Sequence, residues 1–421
     1  MKNIFTAIVL LVLLGCSETK KEADKIYSPG FKTIQTRDLS RIYKTNTDTS
    51  NYLHFRPLDI DIWYPANSTE KDSTVLLRSI LGLLEQRANY YTASNAGNGM
   101  TGQIAKYFCD ALKCSDSLRV LNFKTNSIQN AIPAEGKFPL VLYLTAFNGM
   151  SYENFALFEE LAKKSFVVMS VSSIGRFPGD MTMKNDDLLE QVKDALASID
   201  KLKNETNIDF TKIGIVGYSW GGLAGSILAG KIPTAACLVS LDGSEFHHYG
   251  EAKEENADFD SIRYSHDFKT MKLSMPYLRL ESSPPGDTGK EDSVYNFLEK
   301  LAGSKQVFKI DSARHEDFGC MSFIVKQSGN CSSNQCFKTI SKLTISFLEQ
   351  HLKNKNQFSQ TIAEEMNRTI HKKYNHQKKR IDKNGSTVKA YCLLFSCSSF
   401  KVCSSPLLFS QFKWPGITYV G

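Results

Sequence analysis

KIGIVGYSWGG, residues 212–222, runs an apolar stretch into a glycine and then sets Ser219 between two bulky aromatics and a glycine pair. "KIGIV" reads as a buried strand, and the small-residue run "GGLAGSILAG" (221–230) reads as a helix. Gly217-Tyr218-Ser219-Trp220-Gly221 fits G-x-S-x-G in that strand–turn–helix setting. So tight a reversal needs small residues, because Cβ atoms would meet neighbouring backbone. A serine there is presented at the carboxyl edge of a sheet and the start of a helix, where developing negative charge is favoured. The bland alternative is a glycine-rich bend, and the flanking chain argues against it.

On both sides of this segment, short apolar runs alternate with amphipathic helices. "PLVLYL" (139–144), "FVVMSV" (166–171), "AACLVSL" (235–241), "PYLRL" (276–280) and "QVFKI" (306–310) read as strands. "ENFALFEELAKK" (153–164), "LLEQVKDALASIDKL" (188–202) and "CFKTISKLTISFLEQHL" (336–352) read as helices. This alternation implies βαβ units, hence an α/β fold with a mostly parallel central sheet and helices on both faces. Upstream, "RPLDIDIWYPA" (56–66) alternates Leu58, Ile60 and Ile62, which predicts a half-buried strand ended by Pro65. Residues 75–130 form a helical insert, either a cover for a site or extra helices packed on the sheet.

A nucleophilic serine needs a base and an acid. His315 lies five residues beyond "QVFKI", at the edge where every parallel strand ends. Asp242 ends "ACLVSLD", the strand following the serine, and is the preferred acid; Asp287, in the loop after "PYLRL", is the alternative, with Glu281 third. The backbone N–H of Trp220 and that of Phe147, in "TAFNGM", are the expected oxyanion donors. Tyr218, Trp220, Phe147 and Phe318 are expected to make an aromatic mouth suited to an acyl chain or a flat apolar group. No cofactor is called for. Histidines at ligand spacing do not accompany the cysteines, so zinc is not expected either.

The charge balance confines what the chain can meet. Of 421 residues, 42% are hydrophobic and 23% charged, an ordinary globular composition. Residues 351–421 carry a net +9, and the whole chain only +7, which leaves the first 350 residues at −2. The basic excess belongs to a tail, and a nucleic-acid partner is not indicated. Lys2 and the apolar run 4–14 are too short for a spanning helix and end in "LLGC" (13–16), which resembles the bacterial lipobox. That implies cleavage before Cys16, lipidation of Cys16 and an exported, membrane-anchored protein of the cell envelope. A polar tether is expected over 17–52, a catalytic domain over 53–355, and a basic, then Cys-containing tail of poor order over 356–421. Export permits disulfides, and Cys109/Cys114 and Cys331/Cys336 are close enough in sequence to bridge. Cys237, in an apolar run, reads as a core thiol.

The chain resembles the α/β-hydrolases, and more narrowly the platelet-activating-factor acetylhydrolase and dienelactone-hydrolase-like group. The likeness rests on "DIDIWYPA", "PLVLYLTAFNG", "GYSWGG", "SLDG" and "ARHEDF", across some 290 residues. In the acetylhydrolase branch the acid follows the strand next to the nucleophile strand, which "SLDG" matches. The resemblance implies cofactor-free ester hydrolysis through an acyl-enzyme, on short-acyl or lipid-like esters. A sugar-acetyl esterase or peptidase on the same triad is an alternative, as is a surface lipoprotein that keeps the fold only for binding. One departure stands out: the family usually carries His-Gly where this chain has Thr145-Ala146.

Overall fold

The computed structural model describes residues 25–69, 72–95, 97–176, 181–205, 207–246, 253–283, 297–328, 335–366 and 370–374. The lipobox with Cys16, the alternative acid Asp287, Cys331 and residues 375–421 lie outside them.

Along the chain come β1 (Ser28–Ile42), β2 (Phe55–Ala66), helices α1 (Leu77–Thr92), α2 (Met100–Ala111) and α3 (Ser117–Leu121), and the two-residue β3 (Ile128–Gln129). The alternating region follows, with β4 (Phe138–Leu144), α4 (Phe155–Lys163), β5 (Val167–Val171), α5 (Asn185–Leu202), β6 (Ile208–Tyr218), α6 (Trp220–Lys231) and β7 (Ala235–Leu241). The chain continues through α7 (Lys253–Arg263), α8 (His266–Thr270), β8 (Tyr277–Ser283), β9 (Lys305–Asp311) and α9 (Cys320–Ser328). It closes with α10 (Gln335–Lys353), α11 (Phe358–Met366) and β10 (Ile370–Tyr374).

The ten strands of the described residues join one sheet in the order β10-β9-β8-β7-β6-β4-β5-β2-β1-β3. From β5 through β4, β6, β7 and β8 to β9 every pairing is parallel. The β1–β2, β2–β5 and β9–β10 pairings are antiparallel. Alternate side chains of each central strand feed a separate core on each face, as the period of two requires. Val141, Tyr143 and Val216 pack with Phe155 and Phe158 of α4 and Leu343 and Phe347 of α10. Leu140, Leu142, Leu144 and Ile215 pack on the other face with Leu188 and Val192 of α5 and Leu223 of α6. Helices therefore cover both faces, which is why the strands read as unbroken apolar runs.

Three expectations change. The tether read over 17–52 gives way to a strand at Ser28–Ile42, paired with β2 from Ser28↔Ala66 to Asp38↔Arg56. At the other end, α11 packs on α10, with the Phe358 ring 5.1 Å from that of Phe347, and β10 extends the sheet. Ordered elements therefore continue past 355, in α11 and β10. Finally, β2 is buried on both faces, not half-buried. Its aspartates are taken up by Arg87 of α1, whose guanidinium reaches Asp61 at 2.7 Å and Asp59 at 3.4 Å, and Ser151 Oγ at 2.7 Å. Tyr91 adds a hydrogen bond to Asp59 at 2.6 Å.

This buried network fixes α1 to the sheet beside a core made by Leu77, Ile80, Leu81 and Leu84. Within the insert, α1 packs against α2 and α3, and α2 and α3 also pack against α9. Removing only the cation strands two buried carboxylates, a loss of about 3–5 kcal/mol. We expect Arg87→Ala to lose that much in urea unfolding, and Asp59→Asn with Asp61→Asn in the same chain to recover part of it. A loss below about 1 kcal/mol would show that the network does not hold α1.

Candidate active site

β6 ends at Tyr218 and α6 begins at Trp220, so the whole reversal falls on Ser219. Its backbone stands at φ +55°, ψ −122°, a conformation that costs a non-glycine residue about 1–3 kcal/mol. The surroundings hold it there. Ser219 N–H donates to the Leu241 carbonyl at 3.0 Å, and the Ser219 carbonyl accepts the N–H groups of Gly222 and Ser244, each at 2.9 Å. Two glycines make the geometry possible. A Cβ on Gly217 would lie 2.1 Å from the Gly221 carbonyl oxygen, and one on Gly221 would lie 2.0 Å from the Leu144 carbonyl oxygen. With hydrogen there instead, α6 starts against the ends of both β6 and β4.

The parallel strands deliver the other two groups to the same edge. β7 ends one residue before Asp242, which itself takes positive φ (+45°) and donates its N–H to the Leu280 carbonyl at 2.7 Å. After β9, a single 3₁₀ turn from His315 to Phe318 carries the imidazole. His315 Nε2 lies 2.9 Å from Ser219 Oγ, and Nδ1 lies 2.8 Å from Asp242 Oδ2. The second Asp242 oxygen accepts the Ser282 N–H at 2.8 Å, so both carboxylate oxygens are engaged.

Burial alone would raise the Asp242 pKa. The hydrogen bond and charge of His315, the Arg279 guanidinium and the Ser282 N–H outweigh that, and the carboxyl sits below its ordinary value. An ionised Asp242 needs a donor, which puts the imidazole proton on Nδ1 and leaves Nε2 to accept from Ser219. Arg279 is itself 0% exposed, bonded to the Gly243 carbonyl at 2.8 Å, Glu245 at 3.0 Å and Glu281 at 2.6 Å. Glu281, the third candidate acid, is thus committed to Arg279. Asp287 lies outside the described residues.

The expected aromatic mouth is largely absent. Phe318 is 0% exposed within the core, and Trp220 is 2% exposed, edge-on to the Phe147 ring at 5.6 Å. Tyr218 is buried too, and its hydroxyl donates to the His315 carbonyl at 3.0 Å. Tyr218 therefore holds the histidine loop, and of the four aromatics only Phe147 stays partly open. Tyr218 and Trp220 flank the serine in sequence, but the reversal turns both rings into the cores.

Trp220 is the first residue of α6, so its N–H has no intrahelical partner and is the first candidate oxyanion donor. In the turn after β4, the Ala146 N–H is already given to Glu153 Oε1 at 2.9 Å, which leaves the next N–H, that of Phe147, as the second candidate. Glu153 was not anticipated from the sequence. An acid two residues before a helix reads as a helix-dipole partner, but this side chain turns back and is 6% exposed. Elsewhere, a cavity of 720 Å³ opens between β1, α1 and α3; none of its lining residues belongs to this site. Cys237 is fully buried, its thiol pushed up to about 12 by burial, and Cys109 and Cys114 are buried free thiols.

No family model matches the chain, and neither does any curated protein. Among solved structures it is similar to a ferulic acid esterase from Streptomyces cinnamoneus. The likeness has a TM-score of 0.52 at 17% identity and covers 78% of this chain and 91% of that one. With its mostly parallel sheet, its helices on both faces and this structural match, the chain has the α/β-hydrolase fold.

Proposed function

We propose that this chain is a serine hydrolase that cleaves carboxylic esters through an acyl-enzyme. One observation carries the reading: Ser219, His315 and Asp242 form a continuous hydrogen-bonded series of 2.9 and 2.8 Å at the ends of β6, β9 and β7. A binding module needs neither the positive-φ serine nor the buried, doubly bonded aspartate. The structural likeness to a ferulic acid esterase supports an ester substrate, and the sequence resemblance to acetylhydrolases supports a short acyl group.

In this mechanism Ser219 Oγ attacks the ester carbonyl carbon as His315 Nε2 takes its proton. The carbonyl oxygen becomes an oxyanion that meets the N–H groups of Trp220 and Phe147. Collapse expels the alcohol, which leaves with the proton from His315 Nε2. Water then attacks the acyl-enzyme, His315 again accepting the proton, and the carboxylic acid departs with Ser219 restored. Asp242 holds the Nδ1–H tautomer and stabilises the imidazolium in each half. The lipobox reading places this chemistry at an envelope membrane, with Cys16 as the lipid anchor.

The test is a panel of p-nitrophenyl esters from acetyl to lauroyl, together with methyl ferulate. We expect the acetyl and butyryl esters to turn over fastest, and Ser219→Ala or His315→Ala to abolish hydrolysis. Turnover no faster than that of Ser219→Ala across the panel would contradict the proposal. Within it, Asp242→Asn should lower kcat about 10⁴-fold, as expected when the wrong tautomer is imposed. Asp287→Asn should stay within a few-fold of the parent; the reverse ranking would move the acid to Asp287. For the anchor, Cys16→Ser should abolish incorporation of labelled palmitate and release the protein from the membrane fraction.

A further inference from the structure

Glu153 is a buried acid that no step above uses, and it lies in the turn that carries Phe147. Its Oε1 accepts the Ala146 N–H at 2.9 Å and the Tyr143 hydroxyl at 3.2 Å. Its Oε2 is buried and meets no donor among the described residues. That oxygen lies 2.4 Å from where a Cβ on Gly149 would stand, so the glycine lets the carboxyl group fill the inside of the turn. The Glu153 backbone is fixed as well, its carbonyl accepting from the Cys320 N–H at 3.4 Å and the Cys320 thiol at 3.2 Å.

We propose that Glu153 is a positioning residue for acyl transfer: its carboxyl group accepts the Ala146 N–H and so fixes the turn that offers the adjoining Phe147 N–H to the oxyanion. The proposal rests on the serine-hydrolase reading and adds a condition to it. A charged carboxylate this close would oppose the negative oxygen that forms beside Phe147. A neutral carboxyl accepts the same N–H without that penalty. The bare Oε2 agrees, since an ionised oxygen buried without a donor is costly. Burial raises the pKa of this group to about 8, against smaller lowering effects of the Ala146 and Tyr143 bonds. The titratable groups facing it are Tyr143 on β4, with Tyr218 of β6 beside that ring, and Cys320 on α9. Burial lifts Tyr143 and Cys320 well above their ordinary values, so both stay neutral where Glu153 ionises.

The sign follows. In the unfolded chain the carboxyl loses its proton near its ordinary value of 4.5, whereas in the folded protein it keeps it to about 8. The stabilisation from that proton is complete below the ordinary value and is lost as pH rises through about 8. Activity should fall over the same upper limb.

The experiment compares the full-length chain with Glu153→Gln and Glu153→Ala, using p-nitrophenyl acetate from pH 6 to 10 and the rate of labelling by a fluorophosphonate. We expect Glu153→Ala to lose tenfold or more in kcat, with KM within about threefold. Glu153→Gln, which keeps an uncharged acceptor, should hold at least a third of the activity at pH 7. It should also lack the roughly tenfold fall that the parent shows above pH 8. If Glu153→Ala does not fold, the pH profile of Glu153→Gln decides alone. A labelled parent with the same alkaline fall in Glu153→Gln, or with kcat unchanged in a folded Glu153→Ala, would overturn this proposal and leave the hydrolase reading intact. A parent that neither labels nor turns over would overturn both.

Discussion

Everything at the site depends on the reversal of the chain at Ser219. A residue with a side chain is held at positive φ because three backbone hydrogen bonds fix its N–H and carbonyl. Glycines on either side let α6 begin in contact with the ends of β4 and β6. Relax that contact and the hydroxyl no longer projects from the sheet edge, while the first N–H of α6 loses its place beside it. The local cost, about 1–3 kcal/mol, is offset by the packing of a helix whose residues from Trp220 to Ala229 are all buried.

The sheet supplies the rest. Since β6, β7, β8 and β9 run parallel, the segments leaving β6, β7 and β9 emerge on one edge, and the site needs no further domain to assemble. Behind Asp242, the Arg279 guanidinium ties Ser240, Gly243, Glu245 and Glu281 together, so the strand ends that carry the acid are braced by a buried cation. Behind Phe147, Glu153 braces the β4 turn in a corresponding way from the other side of the serine. The candidate site thus has few groups, and most of its construction lies in what holds them still.

How much could be read in advance differs by element. The parallel core was legible because runs such as "PLVLYL" and "AACLVSL" are mostly apolar and buried at nearly every residue. β1 was not, because "SPGFKTIQTRDLSRI" is half polar, and pairing with β2 and contacts such as Lys32–Glu205 hold it in place of an apolar face. In β2 the alternation was read correctly as a strand, but its aspartates suggested solvent; their partner, Arg87, is 26 and 28 residues away in a helix and gives no local signal. Ser219 was read from the G-x-S-x-G turn, and His315 and Asp242 from strand ends with Asp287 as the alternative acid; the structure brings Ser219, His315 and Asp242 within hydrogen-bonding distance. The aromatic wall was not legible, since a place next to the serine or the histidine in sequence does not say which way Tyr218, Trp220 and Phe318 turn, and all three turn inward.

The central claim is that Ser219 is the nucleophile, activated by His315. Peptide mapping by mass spectrometry after reaction of the full-length chain with a fluorophosphonate tests it directly. The account predicts one adduct, on the peptide carrying Ser219, and its loss in His315→Ala. An adduct on any other residue, or none, would contradict it.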